Sequence, residues 1–194
     1  IENYGKINNN MITIRFLTPK EYHWYGDWLK EQDEETIQMF FGLQVSEYFL
    51  DNLAKSFVDD IENNYFLVAE RNGVWVGTVH IAIVNTDEIE FGIIVNHGCR
   101  KQGIADQMMR EAIRWARERG YSQLYMHCLT WNKPINHLCH KHGLKTRNMM
   151  GDSEVQIELD PPNIITLSKE VGIKQRNLFH TFLNTSKAYQ EIYG

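Results

Sequence analysis

No apolar run in this 194-residue chain approaches the ~20 residues a helix needs to cross a bilayer. The first ten residues, IENYGKINNN, lack the apolar stretch of a secretory signal, so none is expected there. Cysteine is scarce: Cys99, Cys128 and Cys139 are odd in number and show no C-x-x-C spacing. That excludes a disulfide scaffold and points to free thiols in a reducing compartment, so a cytoplasmic location is expected. Internal repeats and low-complexity tracts are also missing. The length, with 43% hydrophobic and 23% charged residues, suits one packed domain with room for an appendage.

Charge is present but segregated. Residues 21–63 hold eleven acids against Lys30 and Lys55, a local net of −9, in a chain whose total is −5. Residues 98–147 hold ten Lys/Arg against Asp106, Glu111 and Glu118, a local net of +7. The first region suits a cation and the second a polyanion.

Periodicity divides residues 11–159 into alternating elements. MITIRFL (11–17) alternates apolar and polar residues and predicts a strand. Thr18-Pro19 predicts a helix start, with the helix running to about residue 30. Further helices are expected over 33–41 and after Ser46, the latter with Leu50, Leu53, Ala54, Phe57, Val58 and Ile61 on one face. Asn72-Gly73 between β-rich runs predicts a hairpin with a type I′ turn. A strand over 87–96, a helix over 103–119 ended by Gly120, and a strand over 122–129 form a βαβ unit with parallel strands. The helix carries an apolar stripe of Ile104, Met108, Ala112, Trp115 and Ala116, with Arg110, Glu111, Arg114, Arg117 and Glu118 outside it. A short helix over 133–142 and a last strand pair around Gly151-Asp152 complete the domain. Asp160-Pro161-Pro162 then breaks the pattern, and 160–194 reads as a helical appendage. Residues 1–10 are set apart as an N-terminal extension.

The stretch NHGCRKQGIADQ (96–107) joins strand to helix through a basic, glycine-containing loop. A helix start offers N–H groups without partners and a partial positive charge, and Arg100 and Lys101 add full charges. Gly103 lets backbone approach a ligand. The loop is neither a Walker A motif nor a three-glycine dinucleotide fingerprint. Its chemistry suits a phosphate.

Arg100-x-x-Gly103-x-Ala105 resembles the R/Q-x-x-G-x-G/A signature of the GNAT superfamily, the acetyl-CoA-dependent N-acetyltransferases. The order of elements over 11–159 is also similar to that family. So is NKPINHLCHKHGL (132–144), which resembles the family's N-x-x-A-x-x-L-Y-x-x-x-G-F segment with Asn132, Leu138 and Gly143 in register. The resemblance implies a mixed α/β (α+β) fold. Its sheet would have six to seven mostly antiparallel strands around a central parallel βαβ unit, with flanking helices. It also implies that the CoA pyrophosphate lies on Arg100, Lys101, Gln102, Gly103, Ile104 and Ala105. Pantetheine would run beside Ile93, Ile94 and Val95, with Asn132 as a further contact.

Acetyl transfer to an amine needs a group that takes the amine's proton, donors for a developing oxyanion, and two reactants held together. Glu88 and Glu90 are two apart on the strand before the loop and share one face. Strand glutamates resemble the family's usual base. Glu90, in EFG, matches the ribosomal-protein acetyltransferase branch, and Glu88 the histone-acetyltransferase-like register; Glu90 ranks first. Cys139 stands where the family commonly has the tyrosine acid. A thiol can donate a proton, a small buried cysteine is the other reading, and Tyr125 or a nearby histidine are substitutes. The acceptor would lie against the acidic, aromatic first helices with Tyr22, Trp24, Tyr25, Trp28, Phe40 and Phe41, which suits a primary, cationic amine of a small molecule or peptide. Most of those rings are also core candidates.

HLCHKH (137–142) invites a zinc reading, but His142 does not share the face of His137 and His140, and no second ligand pair has zinc spacing, so no metal is expected. The tail 163–183 faintly resembles a helix-turn-helix; a helical pair packed on the domain, or on a second copy in a homodimer, is preferred, and nucleic acid and membrane are not expected partners. Two rivals stand beside the acetyltransferase: a catalytically weak acyl-CoA-binding module, motivated by Cys139, and a regulator with a helix-turn-helix-like tail.

Overall fold

The structure is a computed structural model, described here for residues 11–129, 131–149 and 152–158. The N-terminal extension, the residues at the turn before Asp152 and the appendage over 160–194 lie outside the described residues.

Seven strands form one sheet in the order β1-β2-β3-β4-β5-β7-β6. They are β1 (Thr13–Phe16), β2 (Asn64–Arg71), β3 (Val74–Ile83), β4 (Glu88–Val95), β5 (Gln123–Leu129), β6 (Lys145–Met149) and β7 (Asp152–Glu158). Only β4 and β5 run parallel. The expected mixed, mostly antiparallel fold is therefore the one observed. The hairpin forms where expected: Asn72 and Gly73 have φ of 52° and 76°, the two positive values a type I′ turn demands.

Three helices lie on one face of the sheet: α1 (Tyr22–Lys30), α2 (Glu34–Phe41) and α3 (Glu47–Asp59). They bury Tyr22, Tyr25, Trp28, Leu29, Ile37, Leu50 and Phe57 against Phe66, Val68 and Ile94. On the other face α4 (Ile104–Glu118) seats Ile104, Met108, Met109, Ala112, Ile113, Trp115 and Ala116 on Leu67, Val79, Ile81, Ile89, Phe91 and Ile93. Each buried Leu, Ile, Val, Phe or Met side chain among them contributes about 1.5–3 kcal/mol by leaving water. α5 (Lys133–Lys141) adds Leu138 and Cys139 to that core.

Several local expectations need correction. The helix expected from Pro19 begins as a 3₁₀ turn, Pro19–Glu21, and becomes α-helical only at Tyr22. Glu21 turns back to accept from the Thr18 amide at 2.7 Å, which closes the first turn tightly. Val58 and Ile61 do not join the buried face of α3; they are 44% and 41% exposed. The helix ends at Asp59, and Ile61 falls in the turn beyond it. Met109 and Ile113 widen the α4 stripe, and Glu111 and Arg114, expected outside, are largely covered and pair with each other.

Candidate functional site

The site begins with a break in pairing. β4 and β5 share three rows: Glu88 with Gln123, Ile89 with Leu124, and Glu90 with Tyr125. β4 then continues to Val95, still paired with β3, while β5 continues to Leu129 paired with β7. The strands fork after Glu90. Along β4 the side chains alternate: Ile89, Phe91 and Ile93 enter the α4 core, and Ile94 enters the core under α1–α3. Glu88, Glu90 and Gly92 share the face with Ile94, as period-two geometry requires. The predicted base candidates thus share one face, and Glu90 occupies the last paired row.

Beyond β4 the chain makes a 3₁₀ turn, His97–Cys99, and enters α4 through two left-handed residues, Lys101 (φ 61°) and Gly103 (φ 76°). A Cβ on Gly103 would meet nothing within 4 Å, so the backbone conformation, not lack of space, calls for glycine here. The first-turn N–H groups of α4 have no intrahelical acceptor and open beside the loop. Arg100, Lys101, Gln102, Gly103, Ile104 and Ala105 are thereby gathered at one helix start. Ile104 is 1% exposed and belongs to the core, so its backbone alone is available.

Arg100 is held from two sides. Its Nε donates to the Val95 carbonyl at 3.4 Å, and its Nη2 donates to Thr36 Oγ1 at 2.5 Å. Thr36 is 3% exposed; its hydroxyl donates a hydrogen bond to Asp33 Oδ2 at 2.6 Å, and its amide donates to Asp33 Oδ1 at 2.9 Å. The Thr36 hydroxyl, above all, holds the Asp33 carboxyl below its usual range against the effect of burial, with the Thr36 amide and the charges of Arg100 and His97 adding to it. Sequence reading missed this chain because Thr36 and Arg100 are 64 positions apart.

Glu88 is already engaged: it accepts from Asn85 Nδ2 at 2.6 Å and from the Tyr125 hydroxyl at 3.2 Å. Gly92 lies under an aromatic lid. A Cβ there would fall 2.7 and 2.8 Å from two ring carbons of Phe40, so that ring rests directly on the strand one face-position past Glu90. Of the predicted acceptor-side aromatics, Tyr22, Tyr25 and Trp28 are core, Phe40 and Phe41 are half-buried, and Trp24 is 49% exposed.

Asn132 caps α5, accepting from the Ile135 amide at 3.4 Å, and is 8% exposed. Cys139 is fully buried with its sulfur 3.6 Å from Met126 Sδ. His137 and His140 are exposed, whereas His142 donates toward Asp106 Oδ1 across 2.8 Å. Asp106, in the first turn of α4, also meets Lys141 at 2.9 Å and pairs with Arg110. Burial would raise its pKa; Lys141, His142 and Arg110 outweigh that and hold the carboxyl far below the usual range. Among the described residues one group of metal-type side chains has mutually close ligand atoms, Asp33, Glu35 and His97, within 4.8 Å; all three are exposed and Asp33 already caps α2.

A parallel strand pair thus forks beside a glycine loop that feeds a helix start. The Acetyltransferase (GNAT) family profile matches residues 22–144, and the chain belongs to that family. The GNAT domain of S. lividans PAT is similar in fold, with a TM-score of 0.65 at 16% identity over 80% of this chain and 99% of that one. Spermidine N-acetyltransferase from Vibrio cholerae, solved with CoA and spermine, gives 0.62 at 16% identity, covering 76% and 95%. PaiA N-acetyltransferase from Thermoplasma acidophilum, solved with coenzyme A, gives 0.58 at 14%, covering 76% and 99%. A comparison with curated protein sequences finds no match. No helix among the described residues is long and apolar enough to cross a membrane.

Proposed function

We propose that the protein is an N-acetyltransferase that uses acetyl-CoA and transfers the acetyl group directly to a primary amine. The carrying observation is the fork after Glu90: a carboxylate-bearing row is followed by a β4 edge that, among the described residues, pairs with no strand on the β5 side. Residues present fit CoA. The β4 edge over 91–95 can pair with an extended, amide-bearing chain such as pantetheine, as an added strand would. The loop and helix start at the end of that edge suit a pyrophosphate. Acetyl-CoA brings the thioester. Glu90 takes the amine proton, directly or through water, and the β4 N–H groups facing the gap are the donors available to a developing oxyanion.

Glu90 rather than Glu88 is the base in this reading, because Glu90 occupies the last row before the fork, whereas Glu88 lies two residues further from the gap. Cys139, at 0% exposure, packs against the core, and the departing thiolate takes its proton through solvent in the gap. Phe40 walls the acceptor side beside Glu90, and the acid-rich α1–α3 region outside it draws a cationic amine.

Thiol release from acetyl-CoA, measured with a panel of primary amines, tests the reading. Glu90→Gln is expected to lower kcat by about 10²–10⁴-fold and Glu88→Gln far less. Full activity in Glu90→Gln would remove the base assignment. Binding of CoA with no thiol release for any amine would favour the weak acyl-CoA-binding module that the burial of Cys139 keeps in view.

A further inference from the structure

We propose that Thr36 and Asp33, at the start of α2, are positioning residues that aim Arg100 of the loop at the cofactor's phosphates. The inference rests on the CoA reading above but concerns residues outside the two motif segments, 100–105 and 132–144. A free arginine side chain carries rotamer entropy that phosphate binding must overcome. Here the guanidinium is fixed beforehand. The Val95 carbonyl takes Nε–H, and Thr36 Oγ1 takes one Nη2 proton. Thr36 can accept because its own hydroxyl donates to Asp33 Oδ2, and Asp33 is in turn fixed as the α2 cap by the Thr36 amide.

The three residues form a directional relay, Arg100 to Thr36 to Asp33, in which every hydroxyl and carboxylate role is defined. Among the described residues, Arg100 Nη1 makes no hydrogen bond, so the guanidinium presents that nitrogen's two donors to a ligand while its other edge is anchored. Burial of Thr36 at 3% exposure excludes water that would loosen the anchor. Asp33 stays beyond the hydroxyl, so its charge orients the relay without taking the arginine directly.

The test compares CoA, titrated by calorimetry, with pantetheine, which has no phosphate, followed by ligand-observed NMR. Thr36→Val keeps the side-chain shape and removes the hydroxyl. It is expected to weaken CoA about tenfold, the scale of one hydrogen bond to a charged group, and to leave pantetheine unchanged. Thr36→Ser should restore CoA binding. Thr36→Val added to Arg100→Ala should weaken CoA no further than Arg100→Ala alone. Wild-type CoA affinity in Thr36→Val, or equal losses for CoA and pantetheine, overturns the proposal, as does an additive double variant or an Arg100→Ala variant that binds CoA normally. An unaltered chain that binds no CoA overturns both this proposal and the acetyltransferase reading; in every other outcome that reading survives independently.

Discussion

Acidification from pH 7 to pH 4.5 should destabilise the fold through the imidazole of His80. This residue lies on β3 with its ring stacked on Phe66, centroids 4.8 Å apart and planes 20° apart, and tilted against Phe57 at 4.5 Å. Its Nε2 is 2.7 Å from Asn64 Oδ1. The Asn64 amide is oriented by its other end, which donates to the Asp60 carbonyl at 2.7 Å, so Oδ1 faces the ring and Nε2 is the donor. Burial lowers the pKa of His80 from 6.5 to about 4. Between those values the unfolded chain binds a proton that the folded chain refuses, so unfolding becomes easier as pH falls through that window. The interval is ~2.5 units, and at ~1.36 kcal/mol per unit the loss approaches about 3 kcal/mol at pH 4 and about 2 kcal/mol at pH 5. That is a large part of a typical 5–15 kcal/mol stability. Glu21, Asp33 and Asp106 have lowered pKa values, so their contributions are full above their ordinary values, 4.5 for Glu21 and 3.8 for the two aspartates, and fade as pH falls below them. Urea unfolding followed by tryptophan fluorescence at pH 7, 6, 5 and 4.5 measures the slope. His80→Gln keeps a donor for Asn64, loses the ring stack, and should start less stable but show a much flatter profile. Equal slopes in both proteins, or a flat wild-type profile, would refute the argument.

Two substitutions test other contacts. Gly92→Ala drives a methyl into the Phe40 ring and should destabilise by about 1–3 kcal/mol; Phe40→Ala in the same chain removes the obstacle, so thermal melts of the double variant should show less loss than the two singles combined, and strict additivity would mean the ring is not seated there. Asp106→Asn removes the shared partner of Arg110, Lys141 and His142 and a favourable charge at the start of α4, for about 1–3 kcal/mol at pH 7. Because the folded-state pKa is depressed, the difference from wild type in denaturant titrations should shrink as pH falls below about 3.8, and a difference independent of pH would exclude the charge as its source.

What could be read from the sequence divides by the range of the interaction that fixes it. Asn72-Gly73 and Gly103 were legible because a positive φ is a local demand that few residues meet, and the chain folds there as the residues require. The α4 stripe was legible for the same reason, as a period written into fifteen consecutive residues. The ends of α1 and α3 were less so, because an apolar residue just beyond a helix, such as Ile61, continues the pattern on paper while the backbone has already turned. Nothing in EIEFGIIV marks the fork, since its residues read as one uniform strand and all remain paired with β3 as far as Val95. The fork is set from outside. α4 and Gly120 fix where β5 returns, the β5 rows meet β4 only up to Tyr125, and β7 takes β5 onward. Arg100 repeats the lesson at the level of one side chain. Its motif position was plain, but its direction comes from Thr36 on α2, 64 positions earlier, where no spacing rule reaches. The glycine loop defines where a phosphate can sit; the pairing of distant strands and the α2 anchor decide what the loop and Glu90 can do to the molecule that carries it.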